Sequence, residues 1–215
     1  MQLICRRLGR SAYGDTLQAM QRFTDARRDD TVDELWLTEH APVFTLGRNA
    51  KTAHILDAGS IPQWRSDRGG QVTYHGPGQL VVYTLLDLRR LGIGVRQLVS
   101  GIEQSLIDLL ADYAIDGCRR DQAPGVYVGG KKIASLGLRI RRHCSYHGLS
   151  LNIAMDLAPF SRILPCGQAG LEVTQLSELG VDTGAEALAE RLCQHIQRIF
   201  GYTELVFTND EAMHV

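Results

Sequence analysis

Cys166 stands between Pro165 and Gly167, and that setting singles it out among the five cysteines as a candidate nucleophile. Proline and glycine make a loop, where a side chain can be presented to a cleft, whereas most cysteines are small buried hydrophobes. A reactive thiol also needs its thiolate stabilised by a cation or a helix N-terminus. Lys132 and His75 are the groups a fold could bring to it. His75 lies in the second candidate, the run Arg68-Gly69-Gly70-Gln71-Val72-Thr73-Tyr74-His75-Gly76-Pro77-Gly78-Gln79. Four glycines and a proline in twelve positions mean a backbone that turns sharply and admits close approach. Tyr74 and His75 place polar tips inside it. The plain reading is a glycine-rich turn, and the chemical one is a loop that cradles a substrate.

Three further patterns carry less. Gly125-x-x-x-x-Gly130-Lys131-Lys132 has the outline of a phosphate-binding loop, but a Lys stands where Ser or Thr must hold magnesium, and a strand rather than a helix follows. His143, Cys144 and His147 include metal-ligating types, and on a strand 143 and 147 share a face. Three ligands this close on one strand is not a zinc spacing, so a solvent-facing or hydrogen-bonded pair is expected. Arg139, Arg141 and Arg142, with Arg119 and Arg120 upstream, form a basic cluster, read either as a solvated face or as a docking patch for an acidic partner.

The elements that must position these groups follow from periodicity. Strands are expected over 2–8, 33–39 and 43–46, the last two joined by a turn at His40-Ala41-Pro42. A helix is expected over 15–27, with Leu17, Met20 and Phe23 on one face. Residues 48–64 read as a surface loop, and the run 80–86 after the glycine loop as a buried strand. Val95, Leu98, Val99, Ile102, Leu106, Leu109, Leu110 and Tyr113 form a helical stripe. A short strand from Pro124, a turn at Gly129-Gly130 and a strand over 131–140 make a hairpin. In that strand Lys132 shares a face with Ala134, Leu136, Leu138 and Ile140, and Lys131 with Ile133, Ser135, Gly137 and Arg139. A further strand over 146–153, a loop over 158–170, a helix opened by a capping box at Thr183 and Glu186, and a last strand over 202–207 complete the chain. The expectation is one α/β (α+β) domain over 1–215, a mixed β-sheet with flanking helices.

Composition bounds the function. A formal net charge of −1 argues against a general nucleic-acid binder. Widely spread cysteines without a Cys-x-x-Cys pair fit free thiols in a reducing compartment. The start, Met1-Gln2-Leu3-Ile4-Cys5-Arg6-Arg7, is no signal peptide, and no apolar run approaches membrane-spanning length. A soluble cytoplasmic protein is expected.

Taken in order, the glycine loop, Gly125-Val126-Tyr127-Val128, Lys132-Ile133-Ala134-Ser135-Leu136-Gly137, His147-Gly148-Leu149-Ser150-Leu151-Asn152 and Pro165-Cys166-Gly167 resemble the bacterial lipoyl/octanoyl transferases. Glu39-His40-Ala41-Pro42-Val43-Phe44-Thr45-Leu46-Gly47 fits upstream, so the resemblance runs from about Glu39 to Thr174. No motif position departs from the pattern. The family's lysine directly precedes an isoleucine, which among Lys131 and Lys132 points to Lys132.

The resemblance implies the fold of the biotin and lipoate protein ligases. It implies transfer of an octanoyl or lipoyl group from acyl carrier protein to a lysine of lipoyl domains, those of the 2-oxoacid dehydrogenases and of the glycine cleavage H protein. Cys166 would carry the acyl thioester and Lys132 would lower its pKa. Arg68, Gly69, Gly70, Gln71, Val72, Thr73, Tyr74, His75, Ser135, Leu136, Gly137, Gly148, Leu149 and Ser150 would line the substrate site. No metal, nucleotide or bound cofactor is needed for such chemistry, and neither nucleic acid nor membrane is an expected partner. The rival readings are an ATP-dependent lipoate or biotin ligase of the same fold, a non-catalytic module that binds carrier or lipoyl domains, and a cysteine hydrolase.

Overall fold

The computed structural model describes residues 1–121, 123–164 and 171–209. In chain order its elements are β1 (Gln2–Ser11), α1 (Tyr13–Ala26), β2 (Asp33–His40), β3 (Val43–Leu46), β4 (Gln63–Arg65), β5 (Val72–His75), β6 (Gln79–Leu85), α2 (Leu88–Leu91), α3 (Val95–Ala111), β7 (Gly125–Val128), β8 (Lys131–Arg141), β9 (Cys144–Asn152), α4 (Ala185–Phe200) and β10 (Glu204–Asn209). Short 3-10 turns lie at Thr52–His54, Ala158–Arg162 and Leu176–Leu179.

Seven strands form one mixed sheet in the order β10-β1-β2-β6-β9-β8-β7. β10, β1 and β2 run parallel, and the other pairings are antiparallel. The apolar stripe of α3, Leu98, Ile102, Leu106 and Leu109, packs with Leu188, Leu192 and Ile196 of α4 on one face. α1 covers the other face, setting Leu17 and Met20 against Trp36, Tyr83 and Tyr146. The sheet is thus a buried layer between helices, and its central strands β6 and β9 are buried on both sides.

β3 does not return along β2. Both edges of β2 are occupied, by β1 and β6, so the chain leaves the large sheet at Ala41-Pro42. It builds a second, three-stranded sheet, β4-β3-β5, over a small core of Phe44, Leu46, Tyr74 and Phe160. Residues 72–75 of the glycine run are therefore a strand, β5, paired residue for residue with β3.

Other elements depart from the sequence reading in detail. α2 is a single turn, too short for periodicity to reveal, and is held by Asp87, whose Oδ1 accepts the backbone N–H of Arg89 and Arg90. α4 begins after Gly184, and no side chain of Thr183 or Glu186 caps it. The basic cluster divides. Arg120 donates to the Gly130 carbonyl at one end of β8, and Arg141 pairs with Asp25 at the other, so the strand's length separates them. No helix among the described residues is long and apolar enough to cross a membrane.

One ion pair is fully sequestered. Asp33, at the start of β2, accepts Arg27 and the Tyr202 hydroxyl (2.8 Å), and both Asp33 and Arg27 are buried. Asp33 also accepts the backbone N–H of Asp87 (2.8 Å), so one carboxylate joins α1, α2 and the entry to β10. Removing one partner of such a pair strands a buried charge. Asp33→Ala should lower the unfolding free energy by about 3–5 kcal/mol, read from denaturant titration.

Candidate active site

Lys132 enters the site through an irregularity in β8. Val126 pairs with Ala134 and Tyr127 with Lys132, so Ile133 has no partner on β7. This β-bulge turns Ile133 and Ala134 both toward the core under α3. The alternation expected from the sequence breaks there, and Lys132 lines the same cleft as Ser135 and Gly137. Lys132 is 5% exposed, while the side chain of Lys131 is 49% exposed and lies 3.7 Å from Glu172. The Lys132 Nζ donates to the Pro124 carbonyl (2.9 Å) and lies 5.4 Å from the centre of the Tyr127 ring. Gly125 makes room for it: a Cβ there would stand 2.6 Å from Lys132 Cε, and its φ of +137° excludes other residues in any case.

β7 covers β8 only as far as Ser135. Beyond that, the Gly69 N–H donates to the Leu138 carbonyl (2.8 Å), and the glycine loop closes the strand edge. Between these two covers opens a cleft of about 290 Å³. Of the residues expected to bind substrate, Arg68, Gly69, Gly70, Gln71, Val72, Thr73, His75, Ser135, Leu136, Gly137, Gly148, Leu149 and Ser150 line it. Tyr74 does not: on β5 it points the other way, against Phe44 and Phe160. Gly70 has the left-handed φ of +82°, and Gly76 makes its close contact with the Tyr74 ring rather than with the cleft. Cys166 lies outside the described residues.

The loop is shaped by a buried cation. Arg68 is 8% exposed and donates to the carbonyls of Thr45 (2.7 Å), Gln71 (2.8 Å) and Gly69 (3.0 Å). Gln71 Oε1 is buried in the same wall with no donor reaching it among the described residues.

Residues that sequence reasoning did not assign complete the cleft. Val95 and Val99 of α3 supply apolar surface, and Tyr13, Tyr83 and His147 form its floor. His147 is not paired with His143, which sits with Arg142 in the left-handed turn between β8 and β9. Its own φ is +59°, rare for a histidine, and its Nε2–H donates to Asp67 Oδ1 (2.8 Å). Burial would raise the Asp67 pKa, but the bonds from His147 and Tyr146 outweigh it and hold the carboxyl well below the usual range. His40 Nδ1–H donates to the Ser11 carbonyl (2.8 Å), so its Nε2 accepts the Tyr83 hydroxyl (2.6 Å). His75 Nδ1 bonds Gln79 Oε1 (2.7 Å). Burial lowers all three imidazoles, and His75, also beside His40, is pushed down to about 3. No group of three or more His, Cys, Asp or Glu among the described residues is arranged to hold a metal ion.

Residues 12–197 match the lipoyl protein ligase A/B catalytic domain. The chain belongs to that family. It is 60% identical over 196 residues to a Xanthomonas euvesicatoria protein named octanoyltransferase, covering 91% of this chain and 84% of that one. It is 55% identical over 205 residues to one of the same name from Methylococcus capsulatus, covering 95% and 99%. Among solved structures, a putative lipoate protein ligase from Thermoplasma acidophilum superposes with a TM-score of 0.80 at 15% identity, covering 98% of this chain and 88% of that one. A biotin protein ligase from Aquifex aeolicus gives 0.60 at 13%, covering 92% and 70%. These two likenesses are of fold, the one expected for the lipoyl ligase and transferase family.

Two outcomes are expected. The three histidines stay neutral when folded, whereas in the unfolded chain they take protons below about pH 6.5. Stability should be complete above that value and fall as the pH drops toward 3, by about 1.4 kcal/mol per pH unit for each histidine still refusing its proton. Urea titrations between pH 7 and 4.5 measure it, and a flat profile would show the imidazoles accept protons in place. Gly125→Ala should displace the Lys132 side chain and cut turnover by about a hundredfold, and the strained φ and the contact with the Ala134 carbonyl should also lower the thermal midpoint. Circular dichroism and steady-state rates on the same sample check this.

Proposed function

We propose that the chain moves an octanoyl group from its thioester on acyl carrier protein to a lysine amine of a lipoyl domain, by way of a thioester on Cys166. The protein is an acyltransferase of the octanoyltransferase group and acts in protein lipoylation. The observation that carries the mechanism is the cation in the cleft. Lys132 is buried, and its backbone N–H donates to the Glu172 carbonyl (2.9 Å) while its carbonyl accepts the Thr174 N–H (3.0 Å). Cys166 is six residues from Glu172 in the sequence, and six residues can span up to about 20 Å, a length that allows the thiol to reach this cleft.

In this reading the Cys166 thiolate attacks the carrier thioester and Lys132 gives its proton to the departing carrier thiol. The acceptor lysine enters as a free amine and its nitrogen attacks the enzyme thioester, neutral Lys132 takes the proton released from that nitrogen, and the Cys166 thiolate departs as the amide forms. One thioester replaces another at little cost, and the amide that follows makes the sequence run downhill. Backbone N–H groups of the glycine-rich segments are available to the oxyanion. Lipoyl domains of 2-oxoacid dehydrogenases and the glycine cleavage H protein are the proposed acceptors.

Mixing the protein with octanoyl carrier protein should add one octanoyl group to Cys166, labile to hydroxylamine, without ATP. Intact-protein mass spectrometry reads it. Cys166→Ala should carry none, and an adduct on Cys118 or Cys144, or a strict need for ATP, overturns the mechanism. Lys132→Ala should lower kcat by about a hundredfold or more. Lys131→Ala should change it little, because that side chain is exposed.

A further inference from the structure

A line of hydrogen bonds crosses beneath the cleft from the glycine loop to Lys132. Arg68 Nη2 donates to Thr45 Oγ1 (2.9 Å), and Thr45 Oγ1 lies 3.4 Å from His75 Nε2. His75 Nδ1 meets Gln79 Oε1 (2.7 Å), Gln79 Nε2 meets Asn152 Oδ1 (2.9 Å), and Asn152 Nδ2 meets the Thr174 carbonyl (2.9 Å). The Thr174 N–H in turn donates to the Lys132 carbonyl. His75, Gln79, Asn152 and Thr174 are each at least 93% buried.

Both ends of this line have only one possible role. A guanidinium donates and never accepts, and a carbonyl accepts and never donates. The Thr174 carbonyl therefore turns the Asn152 amide so that N–H faces it, which leaves Asn152 Oδ1 to accept from Gln79. The Tyr74 carbonyl, 3.3 Å from Gln79 Nε2, demands the same orientation. Gln79 then offers only its oxygen to His75, so His75 carries its proton on Nδ1 and a bare lone pair on Nε2. Thr45 Oγ1, already accepting from Arg68, gives its own proton to that lone pair. Every donor points the same way, and the line passes through β3, β5, β6 and β9 before reaching β8.

We propose that Gln79 and Asn152 are positioning residues for the acyl transfer: they fix His75 as the Nδ1–H tautomer and clasp the segment around Thr174 against Lys132, setting the width of the cleft between the glycine loop and the lysine. This deepens the functional reading given above and rests on it. Neither side chain touches the cleft. Each acts through what it holds, His75 on one wall and the backbone of Lys132 on the other. A directional line also transmits misalignment, since reversing one amide leaves two acceptors or two donors face to face in a buried setting.

The test begins on the resting protein, without substrate. Ring ¹⁵N shifts of histidine-labelled protein should report His75 as neutral and protonated on Nδ1 at pH 7, and an Nε2–H tautomer overturns the relay whatever the activity proves to be. Asn152→Asp keeps shape and acceptor but loses the N–H that holds Thr174. It should lower kcat for octanoyl transfer by at least about tenfold, leave KM for the carrier substrate within about twofold, and speed amide exchange at Thr174, in protein that circular dichroism shows to be folded at the assay temperature. Should that variant not fold, Gln79→Glu, which still accepts from His75 but cannot donate to Asn152, should keep the Nδ1 proton and show the same loss of kcat. Wild-type kcat in either folded variant overturns the positioning role. A wild-type protein that transfers no octanoyl group would instead overturn the functional reading, and the tautomer would still decide the relay.

Discussion

Ile133 is one residue more than β7 can match, and the bulge it creates decides which way Lys132 faces. Without it, strict alternation would send Lys132 into the apolar layer beneath α3, where an ammonium finds neither partner nor water. With it, two consecutive apolar residues fill that layer and the lysine emerges beside Ser135. Its neighbours follow from that turn. Gly125 gives up a side chain so that the lysine stem can pass, and the Pro124 carbonyl and the Tyr127 ring receive the charge. The backbone of Lys132 is left to pair with Glu172 and Thr174, which brings the chain leaving the Cys166 segment onto the same strand.

The remainder of the floor shows how a cleft can be polar in composition and still suit an apolar chain. Its histidines are buried and neutral, each with its N–H committed to an acceptor: Ser11 for His40, Gln79 for His75, Asp67 for His147. Burial opposes protonating any of them, and at His75 and His147 a proton would also place a second cation near Arg68. Arg68 spends its N–H groups on loop carbonyls and on Thr45, so its charge shapes the glycine loop. The exposed lining is then largely apolar, from Leu136, Leu138, Leu149, Val95 and Val99.

The division into two sheets explains why the site sits where it does. β2 is flanked on both sides, so β3 is forced out to nucleate the small sheet. That sheet presents the glycine loop to the uncovered edge of β8. The cleft is the gap between the end of β7 and the Gly69 bond to Leu138, and neither sheet alone would enclose it.

Much of this was legible in the sequence, wherever the signal was local. The stripe of α3 declares itself by spacing, the β7–β8 hairpin by Gly129-Gly130, and the family by ordered motifs that include Lys132 and the glycine loop. Tertiary structure decided what depends on residues far apart. Residues 72–75 look like loop, because glycine and polar neighbours dominate the local pattern, and become a strand only when β3 offers an edge. The facing of Lys132 required the register between β7 and β8, which one bulge shifts by a residue. His147 could be named but not read, since its partner Asp67 is 80 residues away and meets it only across the packed sheet. Periodicity reports the neighbours a residue has along the chain; the partners that set a buried side chain's charge and direction come from strands whose pairing no single segment encodes.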